Sequence, residues 1–151
     1  MNPPVVFGVR NCGNRALRTA LGLEQFFHPD NPLVPTVLER HAVIVPLRDP
    51  IAVAVSWHRR ANWPHPKFIP ERFGLLVRYL ERAAHHVVCV DRPELREQQL
   101  EDVAGVYGLK RAELGPVPER APRLSLDEFR RLVSYVAPCY AIPLVARYYS
   151  L

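Results

Sequence analysis

Lysine is scarce in this chain: of 20 basic residues, only Lys67 and Lys110 carry an ammonium group. Cysteine is also sparse. Cys12, Cys89 and Cys139 lie far apart, with no C-x-x-C and no Cys/His cluster, which argues against a zinc site and a closed disulfide set. We therefore expect a reducing compartment and no metal. Long apolar runs are missing too: none approaches the roughly 20 residues of a membrane span. The opening MNPPVVFGV lacks the charged and extended apolar regions of a signal peptide. The expectation is a soluble, cytoplasmic protein with no membrane partner. Internal repeats and low-complexity tracts are absent. Neither paired carboxylates nor a Ser-His-Asp arrangement suggests hydrolytic chemistry.

What is there describes an ordinary globular chain. At 151 residues, 48% hydrophobic and 23% charged, it fits one domain spanning 1–151 with a single core. The 16 prolines are scattered, so they mark turns and helix starts. The net charge of +5 is carried almost wholly by arginine, which suits bidentate contact with phosphate or sulfate. GC-rich coding would enrich arginine equally. These arginines are spread along the chain rather than bunched with aromatics, so nucleic-acid binding is the weaker reading. A homo-oligomer is left open.

Hydrophobic patterning predicts alternating strands and helices. Residues 4–8 read as a short buried strand and 14–23 as a helix with Leu17, Ala20 and Leu21 on one face. Residues 24–28 read either as that helix's end or as a short second strand, before the turn chemistry of 28–32. A short helix over 34–40 precedes HAVIVPL, residues 41–47, which has the character of a buried parallel strand. Pro46 belongs at the edge of its ladder. Asp49 is a candidate N-cap and Pro50 fits the first position of a helix running to about Arg60. A loop through Trp63 and His65 leads to an amphipathic helix over 71–85, a strand over 86–91, and a helix from Pro93 stopping at Gly108. After a Pro-rich connector over 115–122, Ser125 and Glu128 form a capping box for a last helix. This alternation predicts an α/β fold, a small parallel sheet flanked by helices; the resemblance described below implies the three-layer, P-loop-like form of it.

Ligands of such sheets bind at the carboxyl ends of the strands. Two segments fall there. In PVVFGVRNCGNRALRTALG, residues 4–22, Gly8 and Gly13 frame a G-x-x-x-x-G loop between strand and helix. Asn14 stands where a nucleotide-hydrolysing P-loop has lysine, and Arg15 where it has serine or threonine, which counts against a nucleotide or polynucleotide kinase. In VPLRDPIAVAVSWHRR, residues 45–60, Arg48 leaves a strand end and Ser56 lies nearly two turns along the following helix. A guanidinium and a hydroxyl so placed can grip one phosphate from two sides.

This second stretch resembles the 3′-phosphate-binding segment of the sulfotransferases that use 3′-phosphoadenosine 5′-phosphosulfate (PAPS). Their pattern is R-D/N-P-x-x-x-A-x-S followed by an aromatic, and Arg48, Asp49, Pro50, Ala54, Ser56 and Trp57 fill it. The resemblance covers most of the chain. Gly8 and Gly13 fall at the glycines of the family's 5′-phosphosulfate loop, G-x-P-R/K-S-G-T-T/S. Residues 86–91 and the helix ending VAGVYGL are similar to its late strand and helix, and residues 126–149 to the closing helix of bacterial members. The resemblance implies that Arg48 and Ser56 hold the 3′-phosphate of PAPS or of its product PAP. It implies that Arg10, Asn11, Cys12, Gly13, Asn14 and Arg15 surround the 5′-phosphosulfate. His28 falls roughly where a catalytic histidine can precede the strand of Arg48, although the residues alone fit a solvated turn histidine.

Departures from the pattern are concentrated in the loop. Asn11 occupies its basic position, with Arg10 one place earlier where proline is usual. Cys12 replaces its serine, and Asn14 and Arg15 replace its two hydroxyls. Asn14 can still donate a hydrogen bond, and Arg10 or Arg15 can supply charge from a shifted position. Loop amides and the helix start would add to the grip on an anion. The segment before Arg48 is also short, where full-length members build their acceptor pocket. The expected activity is sulfuryl transfer from PAPS to an acceptor hydroxyl or amine, with His28 as base and Arg10 as the loop's cation. The rival is a sulfotransferase-like fold without transfer chemistry, serving as a structural or interaction module. Cys12 is expected to pack, residues 58–60 to form a solvated helix end, and Arg120 and Arg123 to belong to a late basic loop.

Overall fold

The computed structural model describes residues 2–60, 62–115 and 124–151. Arg120 and Arg123 lie outside them. Four parallel strands, β1 (Val5–Phe7), β2 (Phe26–Phe27), β3 (Val43–Leu47) and β4 (His85–Cys89), form one sheet in the order β2-β1-β3-β4. The predicted α/β architecture is therefore the observed one. Of the two readings of residues 24–28, the strand holds: Phe26 and Phe27 pair with Val6 and Phe7 at the sheet's edge.

Successive side chains of a strand point to opposite faces. That alternation divides the core. Val5 and Phe7 of β1 and Val43, Val45 and Leu47 of β3 face one side, whereas Val6 and Ile44 face the other. Helices α1 (Asn14–Ala20) and α5 (Pro93–Tyr107) cover the second side through Leu17, Leu100 and Val103. The first side is covered by α2 (Val34–Arg40), α3 (Pro50–His58), α4 (Ile69–Leu80), α6 (Leu126–Val136) and α7 (Pro143–Ala146). Both faces of the sheet are buried, which is why its strands read as near-continuous apolar runs. Trp57, Phe7 and Phe73 are the largest fully buried side chains. Each is worth roughly 1.5–3 kcal/mol of transfer free energy.

Boundaries moved where proline or glycine intervened. Gly22, at φ 65°, lies in the left-handed region just past α1, which ends at Ala20 rather than 23. Pro70 sits in the first turn of α4, so this helix begins at Ile69 and runs to Leu80 instead of covering 71–85. Its inward residues Ile69, Phe73, Leu76 and Leu80 keep the helical spacing. Pro46 pairs with Val88 of β4, but on the β1 side the pairing ends at Ile44. Val43 N–H and Leu47 C=O both face β4. By alternation, the missing N–H of Pro46 faces β1 beyond the last paired residue, as expected for a ladder edge. No helix among the described residues is long and apolar enough to cross a membrane.

Candidate functional site

The connection after β1 goes to an edge strand on one side, and the connection after β3 returns on the other. The switch in strand order therefore lies between β1 and β3, where sheets of this type open a crevice. The loop of residues 8–14 fills one lip. It contains two left-handed residues, Asn11 at φ 68° and Gly13 at φ 91°. Asparagine tolerates that region better than most side chains, and glycine adopts it without strain. A Cβ on Gly13 would also approach the Val90 methyls to 3.3 Å.

Asn14, only 4% exposed, holds the loop together from within. Its Nδ2 donates to the carbonyls of Gly8 (3.2 Å) and Val9 (3.1 Å), and its buried Oδ1 has no partner among the described residues. The amide that sequence reasoning offered to a ligand is thus spent on the loop itself. Cys12 faces the core, not the crevice. Burial pushes its thiol up to about 12, with Arg48 pulling the other way. Its N–H is bonded to Val9 C=O at 3.1 Å. It packs, as expected, and its side chain is removed from the set that could touch a ligand.

The other lip is the turn after β3. Asp49 caps α3 by accepting from Ile51 N–H at 3.1 Å, and its own N–H donates to Asp91 at 2.9 Å. Two tyrosines from the end of the described chain close over this turn. Tyr140 donates to Asp49, and Tyr149 donates to Asp91 and to Leu47 C=O. Burial and the adjoining carboxylates hold both phenols well above their ordinary range. Arg48 and Ser56 meet the loop at a single residue. Arg48 Nη1 donates to Asn11 C=O at 3.3 Å, and Asn11 Nδ2 donates to Ser56 Oγ. The Nε of Arg48 is buried and has no partner among the described residues.

Beside the loop opens a cleft of about 430 Å³. From the loop and α1 it takes Arg10, Asn11, Gly13, Asn14, Arg15 and Ala16; from β2 and the turn behind it come Phe26 and His28; Arg60 and Trp63 complete the wall. Among the described residues no carboxylate lines it. None of Arg10, Arg15 and Arg60 makes an ion pair among the described residues. The guanidinium carbons of Arg10 and Arg60 stand 5.3 and 4.5 Å from the Trp63 ring centroid. Trp63 is set by an edge contact with Trp57, whose Nε1 donates to Arg10 C=O at 2.9 Å. His28 is partly buried, tilted against Phe26. Burial, then the charge of Arg10, lowers its pKa below the ordinary histidine value, while Asp30 opposes them. The ring is therefore neutral near pH 7 and free to accept a proton.

The structure thus brings Arg10, Asn11, Gly13, Asn14, Arg15 and His28 to one cleft and joins Arg48 and Ser56 to it through Asn11. Sequence reasoning missed Arg60 and Trp63, taking the first as a solvated helix end. Trp63 and His65 were read as parts of the loop between two helices, with neither assigned to the crevice. Of that pair, Trp63 reaches it, while His65 packs against Tyr135 and accepts from Lys67 N–H. No group of three His, Cys, Asp or Glu among the described residues is arranged to hold a metal ion. No protein-family model, curated protein or solved structure matches this chain.

Proposed function

We propose that the protein binds PAPS and transfers its sulfuryl group to a hydroxyl or amine of an acceptor. The observation that carries this reading is the meeting of Arg48 and Ser56 on one loop residue at the switch point of the sheet. A 3′-phosphate arriving there would exchange Asn11's contacts for its own. It would also give the buried Nε of Arg48 an acceptor, and a buried donor without one costs roughly 1–3 kcal/mol. The 5′-phosphosulfate would then lie towards Arg10 and Arg15. In the transfer step the acceptor oxygen or nitrogen forms its bond to sulfur as the bond from sulfur to the bridging phosphate oxygen breaks. The acceptor's proton goes to neutral His28, and Arg10 offsets the charge developing on the departing nucleotide.

Calorimetry with 3′,5′-adenosine bisphosphate tests the binding step. Wild type should bind, and Arg48→Ala should bind on the order of a hundredfold more weakly, since a charged bidentate partner is lost. Absence of binding by wild type would sink the reading. A second reading, a binding module without transfer, is favoured by the turning of Asn11's amide to Ser56 and of Asn14's to the loop carbonyls. Neither then serves the bridging oxygen. Binding without turnover of labelled PAPS across hydroxyl and amine acceptors would decide for it.

A further inference from the structure

We infer that Arg60 and Arg10, held on the indole of Trp63, form an oxyanion clamp in the cleft that supplies the cation missing at Asn11. The clamp takes a tetrahedral oxyanion, sulfuryl or phosphoryl, carried on the 5′ side of the nucleotide. Its assignment to that nucleotide rests on the reading above; its affinity for the oxyanion does not.

Both guanidiniums contact the same ring, so their centres are no more than about 10 Å apart, within one screening length at 0.1 M salt. Their repulsion is therefore only partly screened, and Arg15 adds a third charge on the same cleft. With no carboxylate among the described residues of the lining, an arriving anion is the natural counter-charge. Stacking also restricts two long side chains before any ligand comes. That reduces the ordering cost an arginine otherwise bears on forming a bidentate contact. A cation–π contact at an exposed site is weak, enough to orient a side chain without locking it. Trp63 is itself anchored, because Trp57 meets its edge and ties Arg10's backbone to the same point. The parts come from three places in the chain: the loop after β1, the end of α3 and the segment beyond it. Trp63 is a positioning residue in this scheme, and Arg60 and Arg10 touch the ligand.

Three probes separate the clamp from the nucleotide reading by calorimetry: inorganic pyrophosphate, 3′,5′-adenosine bisphosphate and adenosine 3′-monophosphate. Wild type should bind pyrophosphate, and Arg60→Ala should weaken both pyrophosphate and the bisphosphate about tenfold or more. The 3′-monophosphate, whose phosphate falls to Arg48 and Ser56, should bind Arg60→Ala as it binds wild type. Trp63→Phe should keep most of the affinity and Trp63→Ala lose it, with thermal melts establishing that each variant folds. The exposed position of Arg60 makes its substitution benign to the core. Failure of wild type to bind pyrophosphate overturns the clamp, as does an Arg60→Ala protein that binds it undiminished. Equal weakening of all three ligands overturns it too. Arg60-dependent binding of pyrophosphate with no binding of either nucleotide would support the clamp and end the nucleotide reading.

Discussion

Asn14 shows how one side chain can fix a loop and forbid a neighbour. Its amide bonds two carbonyls across the loop, and its Oδ1 lies 2.7 Å from where a Cβ on Gly8 would stand. Pro46 Cγ crowds the same point at 2.8 Å. Neither is the free end of a flexible chain, so Gly8→Ala should cost about 1–3 kcal/mol, like other overpacking changes. A urea midpoint equal to that of wild type would refute this. Asn14→Ala should cost about 1–3 kcal/mol as well, by leaving the Gly8 carbonyl buried without its donor. His28 gives a pH signature. Its folded pKa lies below the ordinary value of about 6.5 that holds in the unfolded chain. Between the two, the unfolded chain binds the proton and the folded one does not, so stability rises with pH there. The contribution is present above the unfolded value and is lost as pH falls through it towards the folded one. Urea midpoints measured from pH 7 downward should therefore fall more gently for His28→Gln than for wild type.

Elements of this fold differ in how plainly the sequence announces them. The helix after β3 was legible to its first residue, because Asp49 and Pro50 specify a start by local chemistry. So was α6, where Ser125 Oγ accepts from Glu128 N–H and Glu128 reaches back to Ser125 N–H. Glu128 also meets His58 at the end of α3, which is exposed, as expected of a solvated helix end. Ser125→Ala should lower stability by about 1 kcal/mol, visible as an earlier denaturant midpoint, whereas Ser125→Asp should nearly preserve it. In contrast, β2 was ambiguous, since two residues carry no measurable period and only pairing with β1 makes them a strand. The candidate site was half legible for the same reason. Arg48, Ser56 and the loop announce themselves by spacing. The stacking of Arg60 and Arg10 on Trp63 depends on where α3 ends relative to β1, and no local pattern encodes that distance. Asn11 was read both as the loop's missing cation and as one of the residues around the 5′-phosphosulfate; that its amide turns towards Ser56 from a left-handed backbone is a fact of loop conformation rather than of residue type.

At the scale of the whole molecule, one face of the sheet carries most of the helices, and all three cysteines lie in that half of the core. Burial raises each thiol, Cys12 and Cys139 to about 12, so neither exposure nor thiolate character favours reaction. A thiol reagent should titrate none of the three in the native protein and all three in denaturant, on the timescale of global opening. Rapid reaction of one cysteine without denaturant would mean that its element opens separately. The charge of +5 should show in binding as well, with anion affinity falling steadily as salt rises. Tyr140 and Tyr149 add a consequence for biosynthesis. They are hydrogen-bonded to Asp49, Asp91 and Leu47 across 58 to 102 positions of sequence. While the nascent chain emerges from the ribosome, the strands and Arg48 can form long before the residues that lock the turn beside them exist. Such distant closures come late and slowly in folding. The turn that carries Arg48 would be among the last parts to set, leaving an interval in which a half-made chain has its sheet but not yet its candidate site.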